Sequence, residues 1–326
     1  MSDCYVCYKE DKQVWDVFVS TSPQRSIFVY SKFLDSLQVN YDLVTSYEKG
    51  QIVAGAVLIY SGAGEPIEEI FPFTQYQGLL LFDQTNQAAH SQITREFKIV
   101  ERFIEKLSEQ YRNYCFCQSW RLNDLRPYQW HNYHEPAKGQ FRLDLRYTGV
   151  LDLKKFDHFD AYLASVRACR RQEFKKASQM LKLEFSRDES ILDNLHAKTF
   201  DRQHIERDDR ESALVKSICK QAIAGGYGKL SVAMMGEVPV SAVLFLYDDR
   251  TAYYLFGAND PSHRKTFAGT FLLMHMIKDA FEKGIQEIDF VGVNSPNRGD
   301  FKISLNAELR PYFITTAGEI SGCASE

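Results

Sequence analysis

The chain has 326 residues, a length typical of one large domain or two ordinary ones, and its 44% hydrophobic and 25% charged residues are typical of a folded globular protein rather than a disordered one. The formal net charge of −4 argues against a protein that binds nucleic acid mainly through its phosphates. The longest apolar runs are far shorter than a membrane helix of roughly 20 residues, and the N-terminus lacks the apolar core of a secretory signal, so we expect a cytoplasmic protein without membrane insertion.

The seven cysteines are expected to be reduced thiols in that compartment. Cys4 and Cys7 form a C-x-x-C pair in a segment predicted to fray. Cys115 and Cys117 lie in an alternating, strand-like run. A zinc site needs four suitably spaced ligands, and these pairs do not supply them in ordered structure, so we predict no metal site.

Two stretches of the chain have the same order of elements. In the first, Tyr41–Tyr60 reads as a β-hairpin with a turn at Glu48-Lys49-Gly50, followed by an amphipathic helix over Ser91–Tyr111 and a strand over Asn113–Ser119. In the second, the hairpin is followed by a further strand before the helix; the corresponding segments are Lys229–Tyr247, Thr251–Gly257, Gly269–Lys283 and Ile285–Val291.

The segment between the two stretches is predicted to be mostly helical. Its helices and one short strand are placed at Asp152–Ser165, Val166–Leu181, Leu183–Ser186 (the strand), Asp188–Phe200 and Arg210–Gly225. The repeated order favours duplication. We therefore predict an α+β fold with mixed sheets and two domains, residues 1–149 and 150–326, with a cleft between them.

The segment Asn259–Ala280 has features of an anion-binding site. A strand leads into a polar loop with Arg264 and Lys265, and a helix opens near Gly269-Thr270. Helix N-termini carry unpaired N–H groups and the positive end of a dipole, and small residues allow a ligand to approach closely. An ordinary polar loop before a capped helix remains the alternative for this segment taken alone.

The next segment carries a resemblance to a known family. Asp289–Gly292 reads Asp-Phe-Val-Gly at the end of a strand, and Phe301-Lys302 follows a loop rich in Gly, Pro and Asn and is placed at the start of the last strand pair. Together with Arg264–Gly269 and the basic helix around Arg170, this order resembles the GNAT-like acyltransferases, in particular the FemAB/FemX-like and cellulose-biosynthesis-type acetyltransferases. Members of that group carry two GNAT-like domains in one chain. One departure is Phe267, which stands where the phosphate-binding signature has its first glycine.

The resemblance implies that Lys302 stabilises negative charge on the acyl oxygen. Asp289 and Tyr254 are further catalytic candidates, Asp289 either orienting an amine or capping a loop. Gly292 and Phe301 belong to the family motif, and Arg202 and Arg264 can grip an anionic donor or acceptor. Trp130 lies in an aromatic and basic cluster that lines the predicted cleft or forms aromatic core. Acyl transfer needs no covalent enzyme intermediate if donor and acceptor are held together.

The resemblance implies an N-acyltransferase that moves an acyl group from an acetyl-CoA-like thioester to an amine of a cell-envelope, sugar or amino-acid acceptor. The second domain is expected to be active and the first degenerate, because its loop Asp83–His90 lacks arginine and glycine. One alternative is a FemX-like aminoacyltransferase that uses aminoacyl-tRNA and a peptidoglycan precursor. Another is a catalytically silent ligand-binding protein. A basic stretch, Ser165–Arg187, is either a solvated helix face or a surface for a nucleotide-linked acceptor or tRNA.

Overall fold

The computed structural model describes residues 4–62, 64–83, 88–203 and 208–318, without the side chains of 199–203 and 297–298. The chain forms two compact units. The first comprises Met1–Asp35, Val39–Arg146 and Pro311–Glu326, and the second Ser36–Gln38 and Tyr147–Arg310. Two long strands, Gln140–Asp152 and Glu308–Gly318, each begin in one unit and end in the other. The C-terminal strand therefore belongs mostly to the first unit, whereas the predicted second domain runs to residue 326.

The first unit combines one long helix and several short ones with an antiparallel sheet. Its elements are β1 (Cys4–Cys7), α1 (Lys12–Thr21), α2 (Ser31–Leu34), β2 (Tyr41–Glu48), β3 (Gln51–Ile59), β4 (Leu80–Leu81), α3 (Ala89–Gln110), β5 (Tyr114–Cys117), α4 (Arg126–Trp130) and the start of β6 (Gln140–Asp152). The sheet order is β1-β2-β3-β4. Separately, β5 pairs antiparallel with Ile314–Ala317 of the last strand.

The predicted hairpin of the first unit is confirmed. Its tight turn places Lys49 and Gly50 at φ 51° and 79°, which is the left-handed geometry that two-residue hairpin loops require. The amphipathic α3 packs its apolar face on this sheet, with Phe103, Ile104 and Leu107 almost fully buried. The N-terminal segment is ordered over Cys4–Cys7, because β1 pairs with β2, so the prediction that it frays is wrong there.

The second unit is a mixed sheet with helices. Its elements are the end of β6, α5 (Phe159–Ser165), α6 (Ala168–Ala177), β7 (Lys182–Ser186), α7 (Ser190–Gln203), α8 (Asp209–Ala224), β8 (Gly228–Met235), β9 (Val238–Tyr247), β10 (Thr251–Asn259), α9 (Ala268–Glu282), β11 (Glu287–Asp289), α10 (Pro296–Ile303) and the start of β12 (Glu308–Gly318). The strand order within this unit is β6-β11-β10-β9-β8-β7. All neighbours are antiparallel except β10 and β11.

The central helix of the second unit is α9, which is apolar on most of its surface. Nine of its residues are buried, including Phe271, Leu272 and Met276. A helix that is apolar nearly all round is stable only when it is enclosed. Here α9 packs on β8, β9 and β10 and against α6, so the residues just before and after it are held in fixed positions.

Two sequence predictions in this unit are wrong. Asp152 lies in a strand rather than at the start of a helix, because Val150–Asp152 pairs with β11, and α5 begins only at Phe159. Phe301 and Lys302 lie in α10 and not in a strand. Pro296 at the first helical position favours this short helix, because its missing N–H is not needed there.

Candidate functional site

The site begins where two parallel strands separate. β10 and β11 pair over only three residues, Thr251–Tyr253 against Glu287–Asp289, and β10 then continues to Asn259. Over residues 254–259 β10 pairs with β9 on one edge, and none of the described strands pairs with the other edge. A bulge at Leu255 shifts the register at the point of separation. A strand edge that is not covered by a neighbouring strand can pair with an extended ligand.

Lys302 lies beside the end of β11. Its Nζ donates to the carbonyl oxygens of Val291 and Gly292, both at 2.8 Å, and lies 5.4 Å from the ring centroid of Tyr254. The side chain is half-buried. Two carbonyl oxygens and an aromatic face favour a cation at this point, so the ammonium is held in one place rather than exchanging among solvent positions.

The loop that holds Lys302 has strained backbone. Val291 has φ 49° and Gly292 φ 68°. A β-branched residue in the left-handed region costs on the order of 1–3 kcal/mol and persists only where its surroundings impose it. The surroundings here are specific: Val291 N donates to Asp289 Oδ1 at 2.8 Å, and Gly292 N donates to Thr148 Oγ1 at 3.2 Å.

Asp289 is the anchor of this loop. It is 1% exposed, and its Oδ1 also accepts from the hydroxyl of the fully buried Thr148 at 2.6 Å. Asp289 was expected either to orient a substrate amine or to cap a loop, and these contacts are those of a residue that caps the loop. Thr148 was not among the predicted residues, because a threonine some 140 positions from the motif gives no local signal.

Tyr254 packs at the opening between the strands. Its ring stacks on Phe245 at 5.5 Å and meets Phe290 edge-on at 6.5 Å. Its hydroxyl lies against Gly257, where a Cβ would be 1.8 Å from Tyr254 Oη. Glycine at 257 therefore leaves room for the tyrosine on this face of β10, a role of Gly257 that no sequence motif indicates.

The residue before α9 has left-handed backbone geometry. Phe267 has φ 56°, the conformation that a glycine adopts readily, and its side chain packs against the core of the second unit. Arg264 and Lys265 are exposed, and Gly269 lies beside the Asn259 amide. At position 267 the backbone thus has a conformation that glycine favours, although the residue is a phenylalanine.

A carboxylate also lies at this helix start. Thr270, in the first turn of α9, donates its hydroxyl to Glu173 Oε2 at 2.7 Å. Glu173 is paired with Arg170, whose NH1 reaches both carboxylate oxygens at 2.9 and 2.7 Å. The pair is about one-fifth exposed on each side, so the negative charge beside the helix start is largely balanced.

The turn before α9 is fixed by a second ion pair. Asp260 accepts from Ser262 N at 2.9 Å and from Lys198 Nζ at 2.7 Å. The hydrogen bond from Lys198 lowers the pKa of Asp260 to about 2. The turn carrying Arg264 and Lys265 is therefore anchored at its first residue.

Two of the predicted binding residues are not among those that the structure places at the site. The side chain of Arg202 is outside the described residues. Trp130 belongs to the first unit, where it is 52% exposed and packs on Phe97 at 5.4 Å with the Arg126 guanidinium 5.5 Å from its ring centroid. In the second unit, the structure brings together Lys302, Gly292 and Tyr254 with Asp289 beneath the loop. Phe301, next to Lys302, packs against the core of that unit.

None of the helices in the described part of the chain is long and apolar enough to cross a membrane.

Comparison with known proteins identifies the fold. Residues 164–302 match the family described as "Acetyltransferase (GNAT) domain". No protein of curated function matches the sequence significantly. The crystal structure of FemX superposes with a TM-score of 0.64 at 14% identity, covering 95% of this chain and 96% of FemX.

Two further solved structures share this architecture over the full length. A tandem GNAT protein from the clavulanic acid biosynthesis pathway gives a TM-score of 0.52 at 11% identity and covers 100% of both chains. L-PGS from Bacillus licheniformis gives 0.53 at 10% identity, covering 97% of this chain and 94% of that one. At these identities the likeness concerns the fold, and it confirms the predicted tandem GNAT-like architecture.

Proposed function

We propose that the second unit transfers an acyl group from an acyl thioester to an amine, because residues 164–302 match the GNAT acetyltransferase family and the chain has a FemX-like tandem fold. The acceptor class proposed is a cell-envelope precursor or another sugar- or amino-acid-type amine in the cytoplasm. The observation that carries the proposal is the position of Lys302, held by two carbonyl oxygens beside the point where β10 and β11 separate.

Acyl transfer develops negative charge on the carbonyl oxygen of the donor. The amine nitrogen attacks the acyl carbon, a tetrahedral intermediate forms, and the carbon–sulfur bond then breaks. A cation and backbone N–H groups that are fixed before the reaction stabilise the oxyanion without the cost of reorienting water. Lys302 and the open edge of β10 supply these two kinds of donor within one unit.

Tyr254 is the proposed proton donor to the leaving sulfur, and the proton that the amine nitrogen loses on forming the amide returns to the Tyr254 phenolate, so the tyrosine is restored. Its hydroxyl lies against Gly257 on one face of β10, and a phenol can serve as donor or acceptor. Asp289 acts through Val291 and Thr148, because it is buried beneath the loop and not exposed to a substrate. We therefore regard Asp289 as a positioning residue for Lys302.

The donor's phosphates are proposed to bind at the start of α9, with backbone N–H groups of the first turn and the side chains of Arg264 and Lys265. When bound there, acetyl-CoA or another acyl-CoA would supply the activated acyl group. Phe267 does not prevent this, because its backbone keeps the required conformation and its ring packs inward.

A FemX-like aminoacyl transfer is the second candidate. It is favoured by the tandem fold that the chain shares with FemX over 95% of its length. An aminoacyl ester of tRNA carries its reactive carbonyl without a diphosphate nearby. The same Lys302 would stabilise the oxyanion in either reaction.

The two donors can be separated directly. Release of free thiol from acetyl-CoA and loss of aminoacyl-tRNA are measured with the wild-type protein, Lys302→Ala, and the control Lys278→Ala. Lys278 is an exposed lysine on α9 whose recorded partner is Glu282 at 4.0 Å. The proposal is supported if Lys302→Ala loses the turnover of either donor while Lys278→Ala keeps it. Equal turnover in the wild type and Lys302→Ala contradicts it.

A further inference from the structure

A half-buried side-chain network connects three helices of the second unit next to Lys302. Arg170, on α6, donates from Nε to Ser304 Oγ at 2.8 Å, and its guanidinium carbon lies 4.7 Å from the ring centroid of Phe301. Phe301 is the residue before Lys302 in α10, and Ser304 follows the last residue of that helix. Residues three positions apart lie on the same face of a helix, so Arg170 contacts one face at the end of the helix that carries the lysine.

The opposite edge of the same guanidinium reaches α9. Its NH1 donates to both oxygens of Glu173, and Glu173 accepts from Thr270 in the first turn of α9. Arg170 and Glu173 are about 19% and 18% exposed. At such sites an ion pair with several hydrogen bonds has a more fixed geometry than an exposed pair. By contrast, Arg167 and Asp300, which also connect α6 and α10, are 3.5 Å apart and mostly exposed.

A short helix needs such support. α10 has eight residues and no side-chain hydrogen bond at its N-cap, and isolated helices of this length are unstable in water. The contacts of Lys302 with Val291 and Gly292 fix only the end of its side chain. The position of the α10 backbone must be set by packing and by polar contacts such as those of Arg170.

We propose that Arg170 is a positioning residue for acyl transfer, which holds α10 so that the Lys302 ammonium stays over Tyr254 at the end of β11, with Glu173 fixing the guanidinium. The role depends on the planar fork of arginine, which bonds Ser304 and Glu173 at once while its guanidinium carbon lies 4.7 Å from the Phe301 ring centroid. A lysine has one nitrogen and cannot replace all three contacts. This inference rests on the proposed function of Lys302.

The first test needs no substrate. In protein labelled with ¹³C-lysine, the ε-methylene signal of Lys302, assigned by its loss in Lys302→Ala, should be displaced by the ring of Tyr254. We expect Arg170→Gln to move this signal towards that of a solvent-exposed lysine and Arg170→Lys to restore it only in part. Lys175→Gln, an exposed change on the same helix, should leave it unchanged. An unchanged Lys302 signal in folded Arg170→Gln refutes the proposal.

The second test is a double-mutant cycle on turnover of whichever donor the wild-type protein uses. Arg170→Gln should lower kcat by about 10- to 100-fold with little change in the KM of the donor, because misplacement of about 1 Å has effects of that order. If Arg170 acts through Lys302, then Arg170→Gln/Lys302→Ala should be no slower than Lys302→Ala. If the reductions in kcat caused by the two single substitutions multiply in the double variant, or if Arg170→Gln has the wild-type kcat, the role of Arg170 is refuted while that of Lys302 stays intact. Full activity in Lys302→Ala instead refutes the proposed function.

Discussion

Replacing Gly257 by alanine tests the geometry at the open edge of β10. The added Cβ would lie 1.8 Å from Tyr254 Oη, 2.7 Å from Cζ and 2.9 Å from Cε2. Ordinary van der Waals contact requires about 3.5 Å, so the hydroxyl must move by roughly 1.5 Å. The ring cannot simply swing away, because it is stacked on Phe245 and contacts Phe290.

We expect two measurable consequences of Gly257→Ala. Forced repacking of this kind costs about 1–3 kcal/mol, so the free energy of unfolding in urea should fall by that amount. Turnover should fall by about two orders of magnitude, because Tyr254 and the ring face beneath Lys302 are displaced. Tyr254→Phe is the matched control for the hydroxyl: it removes the atom in closest contact, so Gly257→Ala should be less destabilising in the Tyr254→Phe background.

The outcome that refutes this reasoning is specific. If Gly257→Ala unfolds at the wild-type urea concentration and keeps full turnover, then Tyr254 does not lie against Gly257. If it is equally destabilising with and without the Tyr254 hydroxyl, the strain arises elsewhere in β10.

Three further predictions concern the loops around the site. Thr148→Val keeps the shape of the side chain but removes the donor to Asp289 and the acceptor for Gly292 N. We expect the free energy of unfolding in urea to fall by about 1–3 kcal/mol and kcat to fall as well. An unchanged kcat would mean that the loop holds Lys302 without Thr148. The pKa of Asp260 is about 2 in the folded protein and near 4 in an unfolded chain, so its ion pair stabilises the fold above pH 4. This contribution is lost as the pH falls from 4 to 2. It amounts to about 1 kcal/mol, because solvent screens the half-exposed Lys198. Asp260→Asn should flatten the dependence of unfolding free energy on pH in that window, and an identical curve would contradict the assignment. Phe267→Gly should keep the loop conformation and should not weaken acetyl-CoA binding in a thermal-shift titration, whereas weaker binding in the folded variant would show that the phenylalanine ring contacts the donor.

Local patterns predicted much of the second unit. The alternation of Lys229–Tyr247 and the apolar periodicity of the following helix are set within a few residues, and the corresponding elements are present. The placement of Phe301-Lys302 in a strand was wrong because Pro296 begins a helix, a signal that the family motif outweighed. β6 was missed as a strand because its end depends on pairing with β11, some 135 residues later.

The candidate site was only partly predictable for the same reason. Lys302, Asp289 and Tyr254 lie in or near short motifs, and the sequence order indicates them. Thr148, the partner of Asp289, and Arg170, which contacts Ser304, come from distant segments, and only the folded chain shows these contacts. Strain at Val291 has no sequence signature at all, because nothing about a valine predicts a positive φ.

The central claim is that Lys302 stabilises charge on the acyl oxygen in the second unit. The most direct measurement is the single-turnover rate of acyl transfer, at saturating donor, in the wild type, Lys302→Ala and Lys302→Arg, together with donor affinity. The account predicts a rate lower by about two to three orders of magnitude in Lys302→Ala with nearly unchanged affinity, and partial recovery in Lys302→Arg, because the charge matters in the transition state. An unchanged rate, or a loss confined to donor affinity, would contradict it.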